Sequence, residues 1–221
     1  VCMHFGSTPI LNDIHLHVAA GERLAVIGPN GAGKSTLFHL ASGKLQPTRG
    51  NICLHGRSII GCSPQEINRR GLARSFQITQ LFPRLSVAEN LQCATLWTLG
   101  YRYTFWRRLC GLTDVRQRVD ALLERLGMTA RRNVPAGSLS YAEQRTLEIG
   151  MTVAGDAGVI LLDEPTAGMS RSESEAAVHL IRDLTAGKTL LMVEHDMSVV
   201  FSLADRIAVL ANGELIACDS P

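Results

Sequence analysis

The stretch "GPNGAGKST" at residues 28–36 constrains the fold more than any other part of the chain. It fits the pattern G-x-x-x-x-G-K-[ST], which needs a buried strand before it and a helix after it. The preceding "RLAVIG" has the apolar, β-branched composition of such a strand. Glycines in this kind of loop let backbone N–H groups and the positive end of the helix dipole surround phosphate oxygens. The stretch therefore predicts an α/β fold with a site for a nucleoside triphosphate.

Each residue of this loop is assigned to the predicted nucleotide site. In such loops the lysine, here Lys34, reaches the β- and γ-phosphates, and the hydroxyl that follows, here Ser35, ligates Mg²⁺. A glycine-rich turn without a ligand is the plainer alternative, and the strand–turn–helix context argues against it. The predicted nucleotide-binding residues are Gly28, Pro29, Asn30, Gly31, Ala32, Gly33, Lys34, Ser35 and Thr36.

Two further apolar runs, "GVILLD" at 158–163 and "TLLMVEH" at 189–195, have the length of buried strands. Because they are apolar on both faces and are followed by helical patterns, we expect a parallel sheet covered by helices. Shorter antiparallel pairs are predicted within "IHLHVAAGERLAVIG" at 14–28, "RGNICLHGRSI" at 49–59 and "ANGEL" at 211–215. An antiparallel β layer is therefore expected beside the parallel core.

The middle of the chain shows helical patterns and no strand signal. "SVAENL" at 86–91 opens a helix with a capping box, and "DVRQRVDALLERLG" at 114–127 has a helical apolar stripe and a terminal glycine. We therefore predict one domain over 1–221, in which 1–87 and 136–221 form the core and 88–135 form an inserted helical subdomain. The stripe consists of Val115, Val119, Leu122, Leu123 and Leu126.

Composition excludes several classes of protein. A net charge of +2 over 221 residues is too balanced to indicate a nucleic-acid partner. The six cysteines are scattered and form no CxxC pair, so neither a disulfide framework nor a zinc site is expected. The best apolar run, "VVFSLADRIAVLA" at 199–211, is broken by two charged residues and is too short to span a membrane. We expect a soluble, cytosol-type protein.

The stretch "VILLDEP" at 159–165 adds two carboxylates at the end of a predicted strand. Asp163 would hold the magnesium ion of the nucleotide, directly or through water. Glu164 would take the proton of an attacking water. The alternative is a solvated acidic turn before Pro165.

Two more signals are ordinary when each is taken alone. "LSYAEQR" at 139–145 starts a helix with Ser140 as N-cap and Glu143 closing a capping box. His195, in "VEHD", ends a predicted buried strand, where a histidine is usually structural.

The order of these motifs resembles that of the ATP-binding cassette subunits of ABC transporters over nearly the whole chain. The series is the loop at 28–36, a Q-loop in "RSFQ" at 74–77, the signature at 139–144, the acidic strand, a D-loop in "TAGMS" at 166–170 and the switch histidine. The resemblance implies a P-loop NTPase sheet core with an antiparallel β subdomain and an inserted helical subdomain.

The resemblance also implies roles for single residues. His195 would contact the γ-phosphate, and Gln77 would sense Mg²⁺ and the attacking water. Phe5 would stack on adenine, with a core or edge phenylalanine as the alternative. Catalysis would then rest on Glu164, His195 and Gln77, with Ser35, Gln77 and Asp163 at the metal.

In this family two cassettes pack head to tail, and each signature caps the γ-phosphate that the other holds. The signature residues acting on the other copy would be Ser140, Tyr141, Ala142 and Glu143. Tyr141 and Ala142 replace the usual two glycines, and a tyrosine there also occurs in the branched-chain amino acid branch. In the D-loop, Ser170 stands where aspartate is common.

The implied partners are a second cassette, identical or different, transmembrane permease subunits and, indirectly, a periplasmic solute-binding protein. The chain would lie on the cytoplasmic face of the inner membrane as a peripheral subunit. "QLFPRLS" at 80–86 and part of 96–111 are predicted to contact the permease. The latter segment, rich in aromatic residues and arginine, could instead be a membrane-surface or nucleic-acid patch, or a helix packing its aromatics inward.

The resulting function is a Mg-dependent ATPase that powers solute import. The chain resembles the branch of the family that imports branched-chain amino acids, or polar amino acid amides and urea. The sequence does not distinguish these solutes. Three rivals stay open: a single-cassette ATPase of a lipid or lipopolysaccharide exporter, a non-transport cassette protein acting on ribosomes or DNA, and a cassette that binds ATP without turnover.

Overall fold

The computed structural model describes residues 1–75, 81–96, 99, 101 and 112–221, and these group into two compact units. The first unit comprises 1–74, 157–164 and 185–221, and the second comprises 75–156 and 165–184. Gln77, and the aromatic segment 96–111 apart from residues 96, 99 and 101, lie outside the described residues. The predictions made for them stay predictions.

The described part of the chain contains ten strands and seven α-helices. The strands are β1 (Met3–Phe5), β2 (Thr8–Leu11), β3 (Arg23–Ile27), β4 (Cys53–Leu54), β5 (Arg57–Ser58), β6 (Leu72–Arg74), β7 (Val159–Asp163), β8 (Thr189–Val193), β9 (Arg206–Ala211) and β10 (Glu214–Asp219). The helices are α1 (Lys34–Ala41), α2 (Pro64–Arg69), α3 (Val87–Leu96), α4 (Thr113–Arg125), α5 (Tyr141–Ala154), α6 (Arg171–Leu184) and α7 (Met197–Leu203).

A six-stranded sheet organises the first unit, in the order β10-β9-β3-β8-β7-β6. Five strands run parallel, and β10 returns antiparallel along β9. The three strands predicted from apolar runs are neighbours in this sheet, and their central residues are almost entirely buried. The predicted parallel core is therefore confirmed. In a parallel sheet the carboxyl ends of the strands share one edge, which is where ligands bind in open α/β folds.

Antiparallel pairs accompany this sheet, as predicted for two of the three stretches. β4 and β5 form one pair, and β9 and β10 form a hairpin whose turn residues, Asn212 and Gly213, have φ of 49° and 79°. Positive φ at both central residues is what a tight hairpin of this twist requires. A further pair, β1 with β2, precedes the stretch in which a strand was predicted.

The predicted strand within residues 14–18 is wrong. Ile14 is buried, Leu16 and Val18 are half-buried against the core, and His15 and His17 point outward, so the alternation of a strand is present. No strand ladder forms along this segment in the described structure. Alternating burial follows from an extended backbone lying on a core, and it does not by itself supply a neighbouring strand.

The second unit is built from helices. α3 packs against both α4 and α5, and α5 packs against α6. The predicted stripe of α4 is buried, and Gly127 follows the helix with φ of 66°. Because these contacts tie 136–154 and 171–184 to the helices of 87–125, the unit is larger than the predicted insert at 88–135, and that boundary stays a prediction. Over the described ranges, no helix has the length and apolar character needed to cross a membrane.

Candidate active site

The loop at 28–36 runs from the end of β3 to the start of α1, and its path requires glycine at two positions. At Gly28, φ is 150°, and an added Cβ would lie 2.0 Å from the backbone oxygen of Leu210 on β9. At Gly33, the N-cap of α1, φ is 102°, and an added Cβ would lie 2.5 Å from the Leu11 side chain. Both the backbone direction and the available space therefore demand glycine.

The other loop residues differ in exposure. Pro29, Asn30, Gly31 and Ser35 are exposed, whereas Ala32 is buried and Thr36 is half-buried. The first N–H groups of a helix lack acceptors within the helix, so the start of α1 offers donors to a bound anion. The exposed Ser35 hydroxyl lies in this first turn.

Lys34 is the buried cation of the loop, with 6% of its surface exposed. Its Nζ donates hydrogen bonds to the carbonyl oxygens of Gly28 at 2.7 Å and Pro29 at 2.9 Å. Burial lowers the pKa of Lys34, while the nearby carboxylates of Glu164 and Asp163 act in the opposite direction. The ammonium is thus held by the loop and faces two carboxylates.

Asp163 ends β7 and is 1% exposed. Its Oδ2 accepts a hydrogen bond from Nη2 of Arg74, the last residue of β6, at 2.9 Å. Burial lowers the pKa of Arg74, and the hydrogen bond to Asp163 opposes that effect. The pair is therefore a buried ion pair at the carboxyl edge of the sheet.

The oxygen donors near the loop suit Mg²⁺. Mg²⁺ prefers oxygen and is usually bound by one or two protein groups together with substrate phosphates, rather than by a cage of side chains. The Asp163 carboxylate and the Ser35 hydroxyl are donors of that kind. Among the residues that the structure describes, no group of three or more His, Cys, Asp and Glu side chains could hold a metal by itself.

Glu164 and His195 are brought together as the ends of β7 and β8 turn away from the sheet. His195 Nε2 lies 3.1 Å from Glu164 Oε1, within hydrogen-bonding distance. The backbone N–H of Glu164 donates to the carbonyl of Val193 at 2.9 Å, and its φ of 49° is unusual for a residue other than glycine. Both side chains keep solvent access, at 45% for the histidine and 28% for the glutamate. A carboxylate so placed can accept a proton from water, and the imidazole can orient it.

The predicted adenine-stacking residue lies at the end of a short strand. Phe5 ends β1 and is 51% exposed. Its partner strand β2 packs on α1 and borders the loop, because Leu11 blocks the space beside Gly33. An exposed ring is available for stacking, and the stacking role stays a prediction.

The predicted signature lies at the start of α5 in the second unit. Ser140 is the N-cap: its Oγ accepts from the Glu143 N–H at 3.3 Å, and its own N–H donates to Glu143 Oε2 at 2.9 Å. The predicted capping box is therefore confirmed. Arg131 Nε donates to Glu143 Oε1 at 2.9 Å, and the capping hydrogen bonds and Arg131 lower the pKa of that carboxyl. Ala142 is half-buried in the first turn.

Tyr141 connects this helix start to the D-loop segment of the same unit. Its hydroxyl donates to the carbonyl of Ala167 at 3.0 Å. An added Cβ at Gly168 would lie 3.1 Å from the tyrosine ring, so the ring is packed against that glycine. Arg145, which also belongs to α5, places its guanidinium 5.8 Å from the centroid of the Tyr141 ring. The tyrosine that replaces a glycine thus has structural contacts of its own.

Ser170, where aspartate is common, caps α6. Its N–H and Oγ both donate to Glu173 Oε2, at 2.8 Å and 2.6 Å, and the Glu173 N–H donates back to Oγ at 3.4 Å. This is the same reciprocal pattern as at the start of α5. The serine therefore begins a helix rather than presenting a carboxylate.

Two contacts were not predicted from the sequence: the ion pair of Arg74 with Asp163, and the hydrogen bond from Tyr141 to Ala167. Arg74 stands three residues before Gln77 in "RSFQ", and only its position before the predicted Q-loop could have drawn attention to it. Its partner Asp163 is 89 residues away, and the pairing follows from the adjacency of β6 and β7.

The chain is similar in sequence to known ATP-binding subunits of transporters. The family model for "ABC transporter" matches residues 11–167. The "High-affinity branched-chain amino acid transport ATP-binding protein LivG" of Salmonella typhimurium is 35% identical over 228 residues, covering 99% of this chain and 89% of the relative. The "High-affinity branched-chain amino acid transport ATP-binding protein BraF" of Pseudomonas aeruginosa is 35% identical over 231 residues, covering 99% of this chain and 89% of the relative.

A solved structure supports the fold. The ADP conformation of MJ1267, an ATP-binding cassette of an ABC transporter, is 28% identical in sequence, with a TM-score of 0.86. The match covers 100% of this chain and 89% of that chain.

Proposed function

We propose that this chain, which belongs to the ABC transporter family, powers the import of branched-chain amino acids. It is an ATP-binding and ATP-hydrolysing subunit of such a transporter. The solute assignment is supported by LivG and BraF, whose whole length is nearly matched. In this family a cassette of this kind supplies the energy, and permease subunits supply the path across the membrane.

The observation that carries the catalytic proposal is the contact between Glu164 and His195 beside the phosphate loop. Glu164 accepts the proton of the attacking water, and His195 holds the carboxylate while contacting the γ-phosphate. Lys34, whose pKa responds to Glu164, neutralises charge on the β- and γ-phosphates. Ser35 and Asp163 would hold Mg²⁺, which offsets the charge that develops on the phosphate oxygens.

The signature is proposed to act on the nucleotide of a second cassette. Helix geometry leaves the N–H groups of Tyr141 and Ala142 without acceptors in α5, because they lie at its first two positions. The Ser140 Oγ accepts from the Glu143 N–H, and the hydroxyl can rotate to donate its hydrogen to a phosphate oxygen. Three donors and the positive helix end then face the γ-phosphate of the partner copy. The roles of Gln77 and Phe5 in this site are proposed from the resemblance.

Complementation tests the shared site. K34A removes phosphate binding from one copy, and S140R blocks the signature of the other. Each variant alone should lose ATPase activity, whereas their mixture should regain part of it, because a mixed dimer contains one complete site. S138R, at an exposed serine before α5, is the matched control and should keep activity. Full ATPase activity of the S140R variant alone would refute the shared site.

The partners proposed are a second cassette, transmembrane permease subunits and, through them, a periplasmic solute-binding protein, with this chain as a peripheral subunit on the cytoplasmic face of the inner membrane. The test is uptake of labelled leucine, isoleucine and valine into vesicles carrying the purified complex, with amides and urea as competitors. ATP-dependent uptake of the branched-chain amino acids, blocked by K34A, is the expected result. Uptake of amides or urea alone, or ATP-driven lipid movement out of the inner leaflet, would overturn the solute assignment.

A further inference from the structure

We infer that Arg74 is a positioning residue that holds the Asp163 carboxylate in the orientation needed by the magnesium ion of the bound nucleotide. The inference rests on the proposed function, because it assigns Asp163 to that metal. No role for Arg74 follows from the motifs of the sequence. Its importance comes from what it holds.

Arg74 bridges two elements of the first unit. Its Nη2 donates to Asp163 Oδ2 and its Nη1 donates to Ser42 Oγ, both at 2.9 Å. The arginine side chain is 6% exposed and the aspartate side chain 1%. The guanidinium also lies 5.7 Å from the centroid of the Phe38 ring. A charged group at this depth is tolerated only with partners, and here one partner is the proposed metal ligand.

The second contact fixes the guanidinium relative to the phosphate-loop helix. Ser42 is the C-cap of α1, and its Oγ donates to the carbonyl of Phe38 at 2.8 Å while accepting from Arg74. Arginine presents its N–H groups in a rigid planar fork, so one side chain can hold two acceptors at a set separation. The end of β7 is thereby tied to the helix whose first turn contains Ser35. The two proposed metal ligands, Ser35 and Asp163, are therefore fixed relative to each other.

The coordination geometry of Mg²⁺ makes its affinity sensitive to how firmly these two ligands are held. Mg²⁺ demands a nearly ideal octahedral arrangement, so a ligand that rotates freely binds it poorly. Hydrogen-bond partners of metal-ligating carboxylates typically contribute about 10- to 100-fold to metal affinity. A second effect has the opposite sign, since a cation beside Asp163 repels Mg²⁺. We expect orientation to prevail, because the arginine holds Oδ2 in a directed hydrogen bond.

The test measures the magnesium requirement of nucleotide binding in the full chain. Binding of a fluorescent, non-hydrolysable ATP analogue is followed at rising free Mg²⁺ and again in excess EDTA. For R74M, the Mg²⁺ concentration at half-effect should rise about 10- to 100-fold, while affinity in EDTA should stay at the wild-type value. R74K keeps the charge without the fork and should fall between the two. An unchanged or lowered Mg²⁺ requirement in R74M would overturn the inference.

Three further variants separate positioning from folding. S42A removes only the second acceptor and should shift the Mg²⁺ requirement in the same direction by less, which gives a readout if R74M fails to fold. R145M breaks another buried ion pair, Arg145 with Glu148 in α5, and R125M breaks the exposed pair with Asp183. Neither should change the Mg²⁺ requirement. If S42A and R145M have equal effects, Arg74 has only a structural role.

The failure of this inference can be told apart from failure of the proposed function. Wild-type protein that binds the ATP analogue equally well with and without Mg²⁺ would overturn the assignment of Asp163 to a metal, and the inference with it. Wild-type protein with a clear Mg²⁺ requirement that R74M and S42A leave unchanged would overturn the inference alone.

Discussion

Substituting Asn90 with alanine should destabilise the second unit, because this side chain holds the loop before α3 in place. Asn90 is 0% exposed on α3. Its Oδ1 accepts from the Phe82 N–H at 2.9 Å, and its Nδ2 lies 3.2 Å from the Phe82 carbonyl oxygen. The same Nδ2 donates to the carbonyls of Leu85 at 3.3 Å and Ser86 at 2.9 Å. One side chain thus bonds to four backbone groups of a loop that presents Phe82 to solvent. The three carbonyls also accept from backbone N–H groups, so the Phe82 N–H depends most on Asn90.

The magnitude follows from those contacts. A typical hydrogen bond contributes about 0.5–1.5 kcal/mol net, and a buried group left without a partner costs about 1–3 kcal/mol. The two longest contacts, at 3.2 Å and 3.3 Å, count for less, and water can reach the carbonyls of an exposed loop. We therefore expect a loss of about 2–4 kcal/mol in the free energy of unfolding.

Urea unfolding followed by circular dichroism measures this change, and hydrogen exchange localises it. The amide of Phe82 should lose protection first, since its acceptor is removed. N133A, at an exposed asparagine in the same unit, is the matched control and should change stability by less than about 0.5 kcal/mol. If N90A unfolds at the same urea concentration as N133A, the hydrogen bonds of Asn90 contribute nothing net and the reasoning fails.

Three other changes test the active site and the start of α5. E164Q should lower the ATPase rate about 100- to 10,000-fold, as loss of a general base does, while ATP binding is retained; a near-normal rate would mean that another group takes the proton. Y141F removes the hydroxyl that donates to Ala167 and should cost about 1 kcal/mol in stability, measured by urea unfolding, and an unchanged midpoint would show that the hydroxyl contributes nothing. Capping at Ser140 lowers the pKa of Glu143, so its stabilising effect is complete above the ordinary value of 4.5 and is lost as the pH falls through the lowered pKa. Wild type should therefore keep its full advantage over E143Q in unfolding free energy down to pH 4.5 and lose it as the pH falls further; an advantage that stays constant as the solution is acidified below pH 4.5 would contradict this.

Local signals in the sequence predicted much of this structure. The strand–loop–helix geometry around 28–36, the three buried strands and the capping boxes of α3 and α5 each depend on residues a few positions apart, and each is confirmed. The capping box of α6, Ser170 with Glu173, was readable by the same rule and was overlooked because the serine was compared with an aspartate.

Contacts between distant segments were not predictable in this way. The pairing of Arg74 with Asp163 depends on β6 lying beside β7, and a three-residue strand leaves almost no periodic signal. The extended segment at 14–18 shows the converse, since a clear alternation is present without a neighbouring strand. The hydrophobic pattern of a segment predicts which of its faces is buried. The order of the strands in the sheet determines which backbone groups it hydrogen-bonds to.

The obstruction beside Gly28 is a main-chain carbonyl oxygen, and that has a consequence for mutagenesis. A smaller side chain at Leu210 cannot make room for a Cβ at Gly28, because the atom that would clash is the backbone oxygen of Leu210 on β9. A methyl group at Gly28 would have to displace either the loop or the adjoining strand. Inactivation by G28A would therefore measure a displaced backbone, whereas inactivation by K34A, which leaves the glycines untouched, measures lost contact with the triphosphate.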